Sequence, residues 1–196
     1  MSTKAILHNI AGHIALDKEE TAYFISLLQQ KNIFKKTFLL KEGQACKNIF
    51  YVNEGTLRAY YIDKTGREST IMFAIADWWI TDMFCFINPQ PAMLCIEAVE
   101  DSSILQLQKG DWDKLLVKIP KFEKYFRILM QNAYIREQLR VVQNLSISAE
   151  ERYNNFLIKY PQIVKQVTQK QIASYLGITP EFLSAIRANK NKKGIS

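Results

Sequence analysis

Near the end of the chain the run Thr168-Gln169-Lys170-Gln171-Ile172-Ala173-Ser174-Tyr175-Leu176-Gly177-Ile178-Thr179-Pro180-Glu181-Phe182-Leu183-Ser184-Ala185-Ile186-Arg187 carries polar and cationic side chains at helical spacing. From Lys165 to Ser196, six cations face one carboxylate, Glu181, so this segment holds most of the formal net charge of +7. A cationic surface attracts a phosphate backbone and gains free energy by releasing its counterions, so the chemistry on offer is binding of double-stranded DNA. Catalysis has less to work with. His8 and His13, the two histidines, stand in the leader without clustered carboxylates or cysteines, and no metal site or cofactor is expected. Cys46, Cys85 and Cys95 are odd in number and lack C-x-x-C spacing. They read as buried free thiols rather than a disulfide framework or an iron-sulfur site.

The cationic side chains need a frame, and the sequence supplies one. Thr168 is placed to cap a helix whose third residue, Gln171, reaches back to it, and Gly177 suits a left-handed turn after Leu176. Thr179 offers a second cap, and Pro180 fits the first helical position, where its missing N–H would be unpaired anyway. Ala173 is small where a second helix must approach closely. Ile172, Leu176, Ile178, Leu183 and Ile186 can form one small core and leave the outer face of the second helix free for DNA. The same caps would also serve an ordinary helical hairpin.

With 196 residues, 48% of them hydrophobic, the chain can bury one large core or two modest ones. No run is long enough to span a membrane and the first residues lack the apolar core of a signal peptide, so a cytoplasmic protein without membrane contact is expected. Residues 1–33 read as largely helical, with Asp17 capping a segment that carries Tyr23, Phe24, Leu27 and Leu28. From Phe34 to Leu107 the texture becomes strand-like. Thr37–Leu40, Ile49–Val52, Thr56–Ile62, Glu68–Phe73 and Ile104–Leu107 are separated by turn signals, of which Asp63-Lys64-Thr65-Gly66 marks a hairpin. Many short strands with regular turns imply a sandwich or barrel.

Phe38-Leu39-Leu40-Lys41-Glu42-Gly43, followed by Ile49 to Arg58, resembles the first half of the jelly roll of a cyclic-nucleotide-binding-like domain. With the distal helix-turn-helix, this order of parts is similar to the Crp/Fnr family of bacterial transcription regulators. The resemblance runs from about Phe34 to Arg187. It implies an α+β chain: a sensor domain over residues 1–119, a dimerisation helix over 120–145 and a DNA-binding helix-turn-helix domain over 146–196. Members that bind cyclic AMP hold its ribose with a Gly-Glu pair and its phosphate with a following arginine. Here Thr81-Asp82 stands where Gly-Glu would fall, and Ala92, followed by Met93, near where the arginine would fall. No Lys or Arg occurs between Arg67 and Lys109. A buried phosphate would lack a cationic partner, so an effector other than cyclic AMP, or none, is expected at Thr81, Asp82, Ala92 and Met93. The rings Phe73, Trp78, Trp79, Phe84 and Phe86 fit packing better than an aromatic effector pocket.

Gly110 to Leu116 reads as a short helix, and Pro120 opens a segment of some 26 residues, about 39 Å as one helix. Tyr125, Ile128, Asn132, Ile135, Leu139 and Val142 recur by three and four, as in a coiled-coil seam, while Phe122, Phe126, Leu129 and Ala133 lie on another face. One face can meet the jelly roll and the other the same helix of a second subunit, the homodimer that the resemblance also implies. Ser148 then caps a helix that Pro161 stops.

The resemblance places Thr179 to Ala188 in the major groove. Glu181 would accept from cytosine N4, Ser184 would bond a base or a phosphate, and Phe182 would touch a thymine methyl. Pro180 and Ala185 stand where relatives carry guanine-reading arginines. Gln169, Lys170, Arg187 and Lys190 would meet phosphates, and Thr179 caps. RNA polymerase is a further candidate partner. Two rivals remain in view: a small-molecule sensor that signals through protein contacts, and a cupin-like enzyme, which would need clustered histidines inside the barrel.

Overall fold

The computed structural model of the chain describes residues 3–193, with side chains as far as Asn189. Two helices, α1 (Lys4–Ala11) and α2 (Lys18–Ser26), precede eight strands: β1 (Leu28–Ile33), β2 (Phe38–Leu40), β3 (Asn48–Glu54), β4 (Leu57–Ile62), β5 (Glu68–Ala74), β6 (Trp79–Ile80), β7 (Cys95–Ala98) and β8 (Ser102–Gln108). A short α3 (Met83–Ile87) lies between β6 and β7. The strands form two four-stranded antiparallel sheets, ordered β1-β8-β3-β6 and β2-β7-β4-β5. This is a jelly roll.

Alternation along the strands assigns each side chain to a layer. Phe50 and Val52 of β3, Leu57 and Ala59 of β4, Ile96 of β7 and Ile104 of β8 point between the sheets and fill the roll. Their neighbours Ile49, Tyr51, Leu105 and Leu107 point outward from the first sheet, where Ile6, Ile10, Phe24, Leu115, Phe122 and Phe126 cover them. Each such side chain, fully buried, is worth roughly 1.5–3 kcal/mol of transfer free energy.

Six helices follow β8 among the described residues: α4 (Lys109–Lys118), α5 (Lys121–Ser146), α6 (Ala149–Lys159), α7 (Pro161–Gln166), α8 (Gln169–Leu176) and α9 (Pro180–Lys193). Asp17 and Ser148 close capping boxes at α2 and α6. Three departures from the sequence reading stand out. The helical leader ends at Ser26, and Leu28–Ile33 pairs with β8 as an edge strand, buried at its two ends only. Pro161 ends α6 but also opens α7, where it occupies the first turn. β6 and β7, two and four residues long, join sheets whose pairing partners lie far away in sequence.

The helix α5 has two characters. Its first turns pack on the outer face of the jelly roll through Phe122, Tyr125 and Phe126. Tyr125 is therefore removed from the expected dimer seam: it is fully buried, its hydroxyl donates to Asn9 Oδ1 (2.8 Å) and accepts from Trp79 Nε1 (2.9 Å). A ring committed to α1 and β6 of its own chain cannot meet a partner. Beyond it Ile128 is half-buried, Asn132 is exposed, and Ile135, Leu139 and Val142 are each about half exposed, with Tyr134, Val141 and Leu145 barer still.

Candidate nucleic-acid interface and effector cleft

The terminal helices owe their geometry to local caps. Thr168 Oγ1 accepts from Gln171 N (3.2 Å), and the Gln171 side chain accepts from Thr168 N (2.9 Å). Gly177 takes φ +70°, a conformation that costs a side-chain-bearing residue about 1–2 kcal/mol. Thr179 Oγ1 accepts from Phe182 N at 3.2 Å and starts α9. Leu183 and Ile186 are buried against Ile172, Ala173 and Leu176, so one stripe of α9 is fixed and the opposite one is bare. Arg152, which the sequence did not single out, donates to Ile147 O (2.9 Å) and Leu176 O (3.5 Å), tying the end of α5 to the end of α8.

Among the expected DNA-contacting residues, Lys170, Thr179, Pro180, Glu181, Phe182, Ser184 and Arg187 are all exposed, Phe182 by 52%. Pro180, Glu181, Ser184, Ala185 and Ala188 together line a shallow open hollow along α9. Gln169 is half-buried, and its Oε1 accepts no hydrogen bond among the described residues. The side chain of Lys190 lies outside the described residues. Ser174 and Tyr175, on the other side of α8, face the jelly roll. Ser174 Oγ accepts from Thr70 N (2.8 Å) and donates to Glu68 O (2.7 Å), occupying main-chain groups on the open edge of β5. Tyr175 packs against Phe73 and Phe156, and burial pushes its hydroxyl well above the usual phenol range.

The expected effector residues are tied into the loop that carries them. Asp82 is buried, and its carboxylate serves four backbone amides: Oδ1 accepts from Phe84 N (3.1 Å) and Cys85 N (3.4 Å), and Oδ2 from Met93 N (2.8 Å) and Leu94 N (3.0 Å). It caps α3 and closes the 82–94 loop on itself. Ala92 is buried in main-chain bonds with Gly43 and Gln44, whereas Met93 is 46% exposed. A cyclic phosphate here would meet a carboxylate and no cation. Asp82 and the loop that carries Ala92 and Met93 thus form a structural clasp.

Thr81 of the four borders a cleft elsewhere. A cleft of about 260 Å³ lies between the jelly roll and α5, walled by Trp78, Trp79, Met83, Phe126, Leu129 and Met130. Its polar groups are Asp77, Thr81, Asn132 and Arg136. The Arg136 guanidinium stacks 4.6 Å from the Trp78 ring centroid. Asp77 is a non-glycine residue at φ +70°, and its carboxylate accepts from Tyr51 OH at 2.6 Å. Burial, then this bond, raises the Tyr51 hydroxyl far above its ordinary range. A strained residue in a cleft is a common sign of function. The rings Trp78 and Trp79 were visible in the sequence; that α5 would supply the opposite wall, with Arg136 closing it, was not.

Among the described residues no three His, Cys, Asp or Glu side chains gather as a metal site, and no helix is long and apolar enough to cross a membrane.

Comparison with known proteins agrees with this architecture. A family profile described as cyclic nucleotide-binding domain matches residues 30–118. The anaerobic regulatory protein of Pasteurella multocida is 24% identical over 192 residues, covering 92% of this chain and 70% of that protein. The structure of FixK2 from Bradyrhizobium japonicum superposes with a TM-score of 0.74 at 17% identity, covering 86% of each chain. A Eubacterium rectale protein assigned to the Crp/Fnr family of transcriptional regulators superposes with a TM-score of 0.75 at 19% identity, covering 91% of this chain and 85% of that one. At these identities the structural likeness is one of fold.

Proposed function

We propose that this chain is a DNA-binding transcription regulator of the Crp/Fnr type, a homodimer that reads its operator with α9 and answers to a small effector other than cyclic AMP. One observation carries the reading: α9 is fixed along one stripe by a packed supporting helix and presents Glu181, Phe182 and Ser184 on a bare face flanked by the exposed cations Lys170 and Arg187. In the major groove Glu181 accepts from cytosine N4, Phe182 meets a thymine methyl and Ser184 bonds a base or a phosphate, while the cations hold the backbone. Gln169 adds a phosphate contact.

The dimer forms along α5 through Ile128, Asn132, Ile135, Leu139 and Val142, extended by Leu145. Residues 1–119 form the sensor, 120–145 the dimer helix and 146–196 the DNA-binding domain. The effector site is the α5 cleft, not the 82–94 loop. Its aromatic walls suit a small, largely apolar molecule, with Thr81, Asn132 and Arg136 to orient a polar end. The protein works in the cytoplasm, without catalysis, and RNA polymerase is its candidate protein partner.

Base-reading and phosphate-holding residues respond differently to substitution. Glu181→Ala relaxes base choice at one position of the selected consensus. Lys170→Ala or Arg187→Ala weakens binding across all duplexes and flattens its salt dependence. Binding that persists in Glu181→Ala with an unchanged consensus contradicts the assignment of α9.

A further inference from the structure

The jelly roll presents its β4–β5 hairpin to the terminal helices. A trough of about 310 Å³ runs between the two, with Gly66, Arg67 and Glu68 on one wall and Lys170, Thr179 and Glu181 on the other. The second wall is made of residues assigned above to DNA. The first belongs to the sensor domain.

The anions and the cations of the hairpin are used differently. Asp63 spends its carboxylate inside the turn: Oδ1 accepts from Thr65 N (2.8 Å), Thr65 Oγ1 (2.6 Å) and Arg67 N (3.0 Å), and the Thr65 hydroxyl, then the backbone N–H groups, keep it below the usual carboxylate range. Glu68 is paired with the buried Arg58 at 2.8 Å. Lys64 and Arg67, by contrast, are exposed, and none of the ion pairs among the described residues involves them or Lys170. The hairpin therefore offers two exposed cations that are in no ion pair, across a trough from a third, while the Asp63 carboxylate is turned into the turn's own backbone.

The hairpin is also held at a fixed distance from α9. Ser174 of α8 grips Thr70 and Glu68 on the edge of β5, a few residues from the tip. Gly66 at φ +80° sets the tight turn that brings Arg67 to the rim. Extended polyanions match such a surface, and the trough is continuous with the exposed face of α9. We infer that the β4–β5 hairpin is a second DNA contact, in which Lys64 and Arg67 hold the phosphate backbone that enters the trough beside Lys170. The sensor domain then touches the operator directly, and any movement of β5 against α8 changes affinity through lost phosphate contacts. The inference rests on the reading of α9 as the DNA-binding helix.

The test measures binding of the full chain to its selected duplex, and to an unrelated duplex, as a function of salt, for wild type, Lys64→Ala/Arg67→Ala and Lys170→Ala. Each phosphate contact contributes about 0.9 to the slope of log affinity against log salt, which amounts to roughly fivefold in affinity at 0.15 M salt. The double variant is expected to bind about thirtyfold more weakly to both duplexes, with a slope reduced by about 1.8 and an unchanged consensus. Lys64→Glu/Arg67→Glu weakens it further; both pairs are exposed, and an unchanged circular dichroism spectrum and melting curve verify the fold. Wild-type affinity and slope in the double variant, alongside a flattened slope in Lys170→Ala, overturn the hairpin contact alone. A shifted consensus overturns its role as a phosphate contact. If Lys170→Ala is also without effect, the DNA reading fails and this inference with it.

Discussion

Replacing Asp82 by Asn tests whether the 82–94 loop is a clasp or a ligand site. The side chain keeps its shape, but only one of its two terminal atoms remains an acceptor. An Asn oxygen can still serve Phe84 N and Cys85 N at the start of α3, which turns its NH2 toward Met93 N and Leu94 N, where two acceptor contacts of 2.8 and 3.0 Å now exist. Two backbone amides and the new NH2 are left as donors without acceptors. Buried unsatisfied donors cost about 1–3 kcal/mol each, and bonds to a charged acceptor are the stronger kind. Water reaches the Met93 side, since Met93 is 46% exposed, so the sum is set at the low end, about 3 kcal/mol. For a chain of this length that shifts the melting temperature by roughly 6–12 °C. Urea and thermal unfolding followed by circular dichroism, at fixed protein concentration because the proposed dimer would link stability to mass action, measure it. A change below about 0.5 kcal/mol would refute the clasp, as would measurable binding of cyclic AMP to the wild-type protein.

Three further outcomes follow from the same geometry. Ile135→Glu with Leu139→Glu puts charges on the bare half of α5 and should yield monomers in sedimentation velocity, with loss of operator binding, whereas Tyr125→Phe, buried in its own chain, should leave assembly intact. Ser174→Ala removes the partners of Thr70 N and Glu68 O, costs about 2 kcal/mol, and should speed amide hydrogen exchange at Thr70 by roughly thirtyfold. Burial raises the Tyr60 hydroxyl, which also faces Glu97, and the Tyr125 hydroxyl, each from 10.0 to about 12. The folded state favours the neutral phenol, so the stability these groups contribute is intact below pH 10 and is lost as pH rises toward 12. The urea midpoint should stay level up to pH 10 and fall beyond it.

What the sequence disclosed was governed by local rules. Capping boxes at Asp17, Ser148 and Thr168, the left-handed Gly177 and Pro180 at the start of α9 each depend on neighbours three or four residues away, and each is where the pattern put it. The length of α5 was legible for the same reason: no Gly or Pro interrupts it. What was hidden depends on partners far along the chain. The strand Leu28–Ile33 has a polar middle and becomes a strand only because β8 pairs with it. Tyr125 fits a heptad, yet Asn9 and Trp79 claim it. Asp82 was aligned with a ligand-holding pair, whereas its role is set by amides up to twelve positions away. The cleft needed both β6 and α5 to exist, and α5 brings Arg136 onto Trp78 from 58 residues downstream.

The central claim is that two copies of α9, related by the α5 seam, read DNA together. Selection of binding sites from random duplexes by the full-length protein tests it most directly. The account predicts enrichment of a near-palindromic motif whose half-sites are centred about one helical turn, roughly 34 Å, apart. Uniform recovery of all sequences, or a motif with a single unrepeated half-site, would contradict it.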